Sequence, residues 1–407
     1  VKTHNKVTEF LGLKKSIIAV LSMVILVGLG EHLSERFLPL YMMALGGGAL
    51  SVGLLNGLDN LLSALYSFPG GYASEKLGYK RALLLFNLIA MAGYLIVIIF
   101  PSWQAAIIGA ILFISWSAIS LPATMELVST VLPANKRTMG VSMHSLVRRI
   151  PMALGPIIGG ALIELYGEVR GVRLALGLAF VLAGVALVLQ QIMTQEKRDE
   201  SARKSEQRSY GFFLINRSLR NLLTSDILIR FCEQIPYAFV VIWCVSENGI
   251  TPLQFAVLTT IEMITAMVVY VPVAYLADRS IKKPFVLTTF VFFTLFPLVL
   301  LFSHSFWVMV IAFIIRGLKE FGEPTRKALI MDLASEGRKA ATFGLYYLIR
   351  DIIVSLAAFG GAFLWMSSPA VNFLTAFGFG LVGTLFFALW GRDIGKQTPV
   401  DDKEKPS

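Results

Sequence analysis

The chain has 407 residues, 56% hydrophobic and only 15% charged, with a formal net charge of +10 and a mean hydropathy of +0.71. Soluble domains carry about a quarter charged residues, so this composition excludes an ordinary water-soluble enzyme and leaves little room for a domain outside a membrane. In a soluble protein the basic excess would point to nucleic acid; here it follows the loops between apolar runs, and no nucleic-acid partner is expected.

A membrane-crossing helix needs about 20 mainly apolar residues. Such runs fall at 16–40, 49–68, 82–100, 103–125, 138–163 and 171–192, then at 226–246, 252–276, 284–302, 305–330, 340–364 and 370–390. The first run continues past a signal-sequence core and carries glutamates where a small-residue cleavage site would stand, so it reads as a retained span. Its Glu31 and Glu35 are four apart, on one helical face, with His32 and Arg36 on a neighbouring stripe. The second run holds Asp59 between Asn56 and Asn60. The fifth holds Arg148 and Arg149. A hydrated interval, roughly 194–225, separates six runs from six.

In the second half, Arg230 and Glu233 are one turn apart, with Gln234, Tyr237 and Trp243 beyond them. Cys232 and Cys244 share one run, too far apart for a disulfide, and read as small buried side chains. Glu262 stands alone at mid-span. In the tenth run Arg316 with Glu320, and Lys319 with Glu323, have pairing distance along a helix. Arg350 and Asp351 are adjacent and point to different faces, toward partners on other helices. Charges in hydrocarbon are expensive and face partners, cavities or transport routes. Their repetition across many spans suggests a protein that moves a polar or ionised substance. Glu31, Glu35, Asp59 and Glu262 are the proton-coupling candidates; Arg36, Arg149, Gln234, Tyr237, Arg316, Glu320, Arg350 and Asp351 are candidates for substrate contact or charge pairing.

Lys and Arg set orientation. Lys14, Lys15, Lys76, Lys80, Arg81, Lys136, Arg137, Arg279, Lys282, Lys283, Arg338, Lys339 and the basic tail fall on one side, against little beyond Arg170 and Arg173 on the other. Both termini and the central loop are therefore expected in the cytoplasm, in a plasma membrane of the bacterial inner-membrane kind.

The link between the second and third runs contains Gly71, Glu75, Lys76, Gly78, Lys80 and Arg81. It resembles the cytoplasmic signature of the major facilitator superfamily, with Glu75 where Asp is usual. Asp278 and Arg279 resemble the same signature in the second half, although Ile281 replaces its later glycine. These are read as conformational-gating loops. The resemblance implies an all-α polytopic membrane protein with 12 transmembrane helices in two pseudo-symmetric six-helix bundles, residues 1–192 and 226–392, joined by a cytoplasmic loop over 193–225 and followed by a tail over 393–407. It also places the first, fourth, seventh and tenth helices around a central cavity, which adds Trp116 to the candidate route.

Gly155, Pro156, Gly159 and Gly160 form a helix-bend motif similar to the end of the fifth-helix motif of drug:proton antiporters, with Pro151 and Ser142 in place of two expected glycines. Glu35-Arg36-Phe37 is similar to the first-helix signature of proton-coupled peptide transporters. Three residues rather than two separate Glu31 from Glu35, which turns Glu31 by about 100° around the helix.

The expected function is secondary active transport by alternating access: proton-coupled export of an amphiphilic or charged small organic molecule. Uptake of a peptide or metabolite, or ligand binding without transport, are the alternatives. No nucleotide loop of the form GxxxxGK[ST] occurs. No enzymatic activity, cofactor or metal is expected. The partners are a small-molecule substrate, protons and membrane lipids, and the chain is expected to act as a monomer.

Overall fold

The computed structural model describes residues 15–77, 79–113, 148–193, 216–277, 281–334 and 339–391. Gly78, Trp116, Asp278, Arg279, most of the central loop and the tail lie outside these residues. The described residues are helical, with short turns between. In chain order the first half contains α1 (Lys15–Ser34), α2 (Leu38–Ala44), α3 (Gly48–Leu77), α4 (Tyr79–Ile99), α5 (Trp103–Phe113), α6 (Arg149–Tyr166) and α7 (Glu168–Met193). The second contains α8 (Arg217–Tyr237), α9 (Val240–Ile242), α10 (Pro252–Ala277), α11 (Lys283–Leu301), α12 (Phe306–Leu318), α13 (Glu323–Leu333), α14 (Lys339–Ser367) and α15 (Pro369–Trp390). Among the described residues six helices are long and apolar enough to cross a membrane, and α8 with the segment Val240–Glu247 makes a seventh, bent by 43°.

Three expected spans are broken, each beside a proline. Pro39 has no N–H to return to the carbonyl of Glu35. The turn Glu35–Phe37 tightens to a 3-10 helix and Leu38 N–H donates to Glu35 instead. Pro236 stands near the end of α8, where Ala238 N–H donates to the Pro236 carbonyl, and a π-turn follows over Trp243–Glu247. Pro324 opens α13, and the chain between α12 and α13 runs through turns at Lys319–Gly322. Gly322 is required there: a Cβ on it would lie 2.4 Å from the carbonyl oxygen of Phe285.

Within the first half α1 lies between α6 and α7, and α4 packs on α5 and α7; within the second, α8 packs on α14 and α15, and α12 on α10 and α11. The halves meet along two seams, α3 with α14 and α6 with α10. Small residues permit both approaches. A Cβ on Gly53 would fall 2.5 Å from that of Ala362, and one on Gly160 would fall 2.8 Å from the carbonyl oxygen of Pro252. Thr260 Oγ1 donates to the Ala153 carbonyl at 2.8 Å, and Leu253 N–H donates to Glu164 Oε2 at 3.1 Å. The seams lie at the end of the molecule where α3 begins and α6 ends. Phe37 meets Phe255 edge to face across the halves, with centroids 5.8 Å apart.

Candidate functional site

The broken helices converge on a cleft of about 500 Å³ between the halves, lined by Glu35, Arg36, Pro39, Leu55, Asn56, Asp59, Tyr237, Ala238, Val240, Val241, Phe255 and Arg316. The break at Pro39 brings Glu35 and Arg36 to this wall, and the break at Pro236 brings Tyr237. The guanidinium of Arg36 stands 5.1 Å from the centre of the Tyr237 ring, and that of Arg316 stands 5.5 Å from it. Because Ala238 N–H no longer reaches back to Gln234, the Gln234 carbonyl accepts from Asn56 Nδ2 at 3.1 Å. Asn60 Nδ2 donates to Gln234 Oε1 at 3.2 Å. The two asparagines thus tie α3 to α8 across the cleft.

The carboxylates at and around the cleft divide by partner. Glu35 Oε2 is 2.5 Å from His32 Nδ1, and Glu31 is buried in the preceding turn. Asp59 bonds Ser63 on its own helix and makes no ion pair with a described residue. Glu262 is fully buried and not isolated, contrary to its reading from sequence: Arg316 Nε lies 3.3 Å away and Lys319 Nζ 3.4 Å. The helical spacing of the tenth run also misleads. Arg316 pairs with Glu262 rather than Glu320, and Lys319 with Glu233 at 2.8 Å rather than Glu323, because the break at Lys319–Gly322 ends the regular rotation. Glu320 instead reaches across the halves to Arg149 Nη2 at 3.5 Å.

The ion pairs continue away from the cleft. Arg230 Nη1 meets Glu233 Oε2 at 2.5 Å, and its Nη2 lies 3.8 Å from Glu323. Arg326 pairs with Asp226 and with Glu323, the latter at 2.7 Å. Asp226, 1% exposed, also accepts from Tyr346 at 3.0 Å and from Arg350 at 3.5 Å. The sequence reading missed Asp226, Arg326 and Tyr346. The spacings Asp226 to Arg230 and Glu323 to Arg326 were the available signal. Arg350 thus meets a partner on another helix, as its sequence reading has it, and its Nε also donates to the adjacent Asp351 at 2.7 Å, because the long guanidinium side chain folds back beside its neighbour.

Two smaller pockets flank the cleft. One of about 190 Å³ shares Leu55 and Asp59 with it and is otherwise lined by Leu58, Leu62, Ile107, Ala110 and Ile111. The other, of about 260 Å³, shares Arg316 and is lined by Phe292, Phe293, Phe296, Glu233 and Lys319. Among the described residues no group of His, Cys, Asp and Glu has a metal-binding arrangement.

The remaining candidates have structural settings. Gly155 and Gly159 face α1: a Cβ on Gly159 would stand 1.8 Å from the Leu33 carbonyl oxygen, and one on Gly155 2.8 Å from the His32 Cβ. Pro156 lies within a continuous α6. Gly71 and Glu75 lie in the last turns of α3. Exposed Lys76 approaches Tyr72, Lys80 Nζ donates to the Gln191 carbonyl at 2.9 Å, and Arg81 is exposed. Trp243 is a buried residue, with Nε1 donating to the Leu300 carbonyl at 3.1 Å.

The pattern of the Major Facilitator Superfamily matches residues 20–243 and 222–406. An uncharacterised MFS-type transporter of Methanocaldococcus jannaschii is 21% identical over 347 residues, 83% of this chain and 85% of that protein. Among solved structures, a variant of the nucleoside transporter NupG superposes with a TM-score of 0.74 at 14% identity, over 93% of this chain and 100% of that one. The peptide transporter POT in complex with sulfate gives 0.73 at 14%, over 92% and 93%. A bacterial homologue of the human lysosomal transporter Spinster, inward-facing and unoccupied, gives 0.68 at 13%, over 92% and 95%. At these identities the structural likeness establishes the fold.

Proposed function

The chain belongs to the Major Facilitator Superfamily, an all-α membrane fold of two six-helix bundles, and from its cleft we infer that this secondary transporter couples protons to the export of a charged small organic molecule. The observation that carries the coupling is the contrast among carboxyls. Glu35 and Glu262 each have a cationic or histidine partner, whereas Asp59 faces the cleft without an ion pair to a described residue. A carboxyl with no fixed counterion changes charge on protonation without stranding a cation. That suits it to alternate between loaded and empty states.

The two bundles, joined by the stretch between α7, which ends at Met193, and α8, which begins at Arg217, rock about the cleft by alternating access. The seams of α3 with α14 and α6 with α10 close one end. With both termini cytoplasmic, that end faces outward. Arg149 and Glu320 join the halves nearer the opposite end of α6. The direction of export is supported by the likeness of Gly155, Pro156, Gly159 and Gly160 to the antiporter motif.

The test is flux in proteoliposomes with an imposed pH gradient. Candidate cargo found by comparing metabolite and drug accumulation in cells with and without the protein should move against the proton flow. Asp59→Asn is expected to abolish the response to the gradient, and whatever counterflow exchange of cargo remains at raised cargo concentration should not depend on pH. Gradient-driven transport that persists in Asp59→Asn removes this residue from the proton role. Movement of cargo with the proton flow selects uptake instead.

A further inference from the structure

The cleft holds two ionisable groups of opposite kind, Asp59 and Arg36, that make no direct ion pair with a described residue. On the α3 wall, Asp59 has only Ser63. Arg36, which lines the same cleft, stacks on Tyr237 at 5.1 Å; Glu262, Glu35 and Glu233 attract it from a distance, but it makes no direct ion pair with a described residue. The charges next to them are matched: Glu35 by His32 at 2.5 Å and Arg316 by Glu262 at 3.3 Å. Desolvated charges without partners are costly, and a bound molecule can supply the missing partner.

The surroundings narrow what that molecule is. Asp59 also borders the aliphatic side pocket with Leu62 and Ile107. The wall around Arg36 continues through Val240, Val241 and Phe255. An organic monoanion would satisfy Arg36 and leave Asp59; a monocation would do the reverse. A fully apolar molecule would satisfy neither. Resting on the transport reading above, we infer that the cargo is a dipolar ion, with an ammonium group at Asp59, a carboxylate or similar acidic group at Arg36, and an apolar stretch between them. Tyr237 stacks on the Arg36 guanidinium, and the Asn56 and Asn60 contacts to Gln234 tie α3, which carries Asp59, to α8, which carries Tyr237.

The test uses the purified full chain in lipid nanodiscs and its thermal unfolding midpoint against graded ligand. The probes are γ-aminobutyrate, ε-aminocaproate and para-aminomethylbenzoate, each beside the matched acid and the matched amine alone. At least one dipolar probe is expected to stabilise the protein at a concentration at least about tenfold below either matched mono-ion, the scale of one charge-assisted hydrogen bond. Arg36→Gln should reduce that probe to the potency of the amine, and Asp59→Asn to that of the acid; Arg36→Lys and Asp59→Glu should retain part of the advantage and serve where the first variants unfold. Dipolar probes no better than mono-ions, or an advantage that survives both neutral variants, overturns the inference. The transport reading fails separately, if the best-binding probe shows no gradient-driven flux and no other cargo does.

Discussion

Glu262 has no exposed surface and sits between Arg316 and Lys319. Removing one member of a buried ionic cluster leaves the others uncompensated, which costs about 3–5 kcal/mol. Glu262→Gln is therefore expected to lower the thermal midpoint markedly, whereas Asp59→Asn, which strands no cation, should leave it within about 1 kcal/mol of the parent. Unfolding of both variants in the same detergent checks the contrast; equal loss would mean that Asp59 has a structural partner after all. The sequence made both carboxyls visible, because an acid in an apolar run stands out. It did not distinguish them. The partner of Glu262 lies on another helix, and nothing in the spacing along one span reveals a cation that arrives from a different part of the chain.

At the scale of elements, prolines and glycines shape the cleft. Pro39 and Pro236 each deny one backbone hydrogen bond within a span, and those breaks bring Glu35, Arg36 and Tyr237 to the cleft, whereas Pro324 opens α13 in a first turn that needs no such bond. Pro39→Ala is expected to restore a regular turn at Glu35–Phe37, retain or raise stability, and weaken binding of the best dipolar probe by moving Arg36; unchanged binding would separate the break from recognition. The glycines give a second contrast. A methyl at Gly159 collides with the Leu33 backbone, while one at Gly177 meets nothing within 4 Å. Gly159→Ala should cost about 1–3 kcal/mol through forced separation of α1 and α6. Gly177→Ala should stabilise by up to about 1 kcal/mol through helix propensity. Most spans and the Gly-Pro motif were legible because apolar length and helix-breaking residues are local properties. The pairing expected from Arg316 to Glu320 was not, since it assumed a helix that continues through Lys319–Gly322.

For the whole molecule, the seams between halves decide which end is shut. A Cβ on Gly53 already comes within 2.5 Å of Ala362, so Gly53→Leu should hold α3 and α14 apart and shift the population toward the opposite state. Spin labels at Leu50 and Val371, both exposed near this end, should report a longer distance in the variant. An unchanged distance distribution would show that the seam does not limit closure. The six-plus-six organisation was readable from the hydrated interval between two sets of apolar runs. Where the halves touch was not, because the seam is made of small residues whose significance appears only when the opposing backbone is in place.

The Glu262–Arg316 pair also bears on how the chain enters the bilayer during synthesis. Glu262 lies in α10 and emerges from the ribosome before Arg316 in α12. A lone acid at the centre of a translocating helix carries an insertion penalty of a few kcal/mol. Until α12 arrives, α10 must wait beside the translocon, slip toward the interface or enter with its acid protonated. The pair thus imposes an order on biogenesis: in a nascent chain truncated between α10 and α12 the α10 segment should be open to an added protease, and in one that includes α12 it should not.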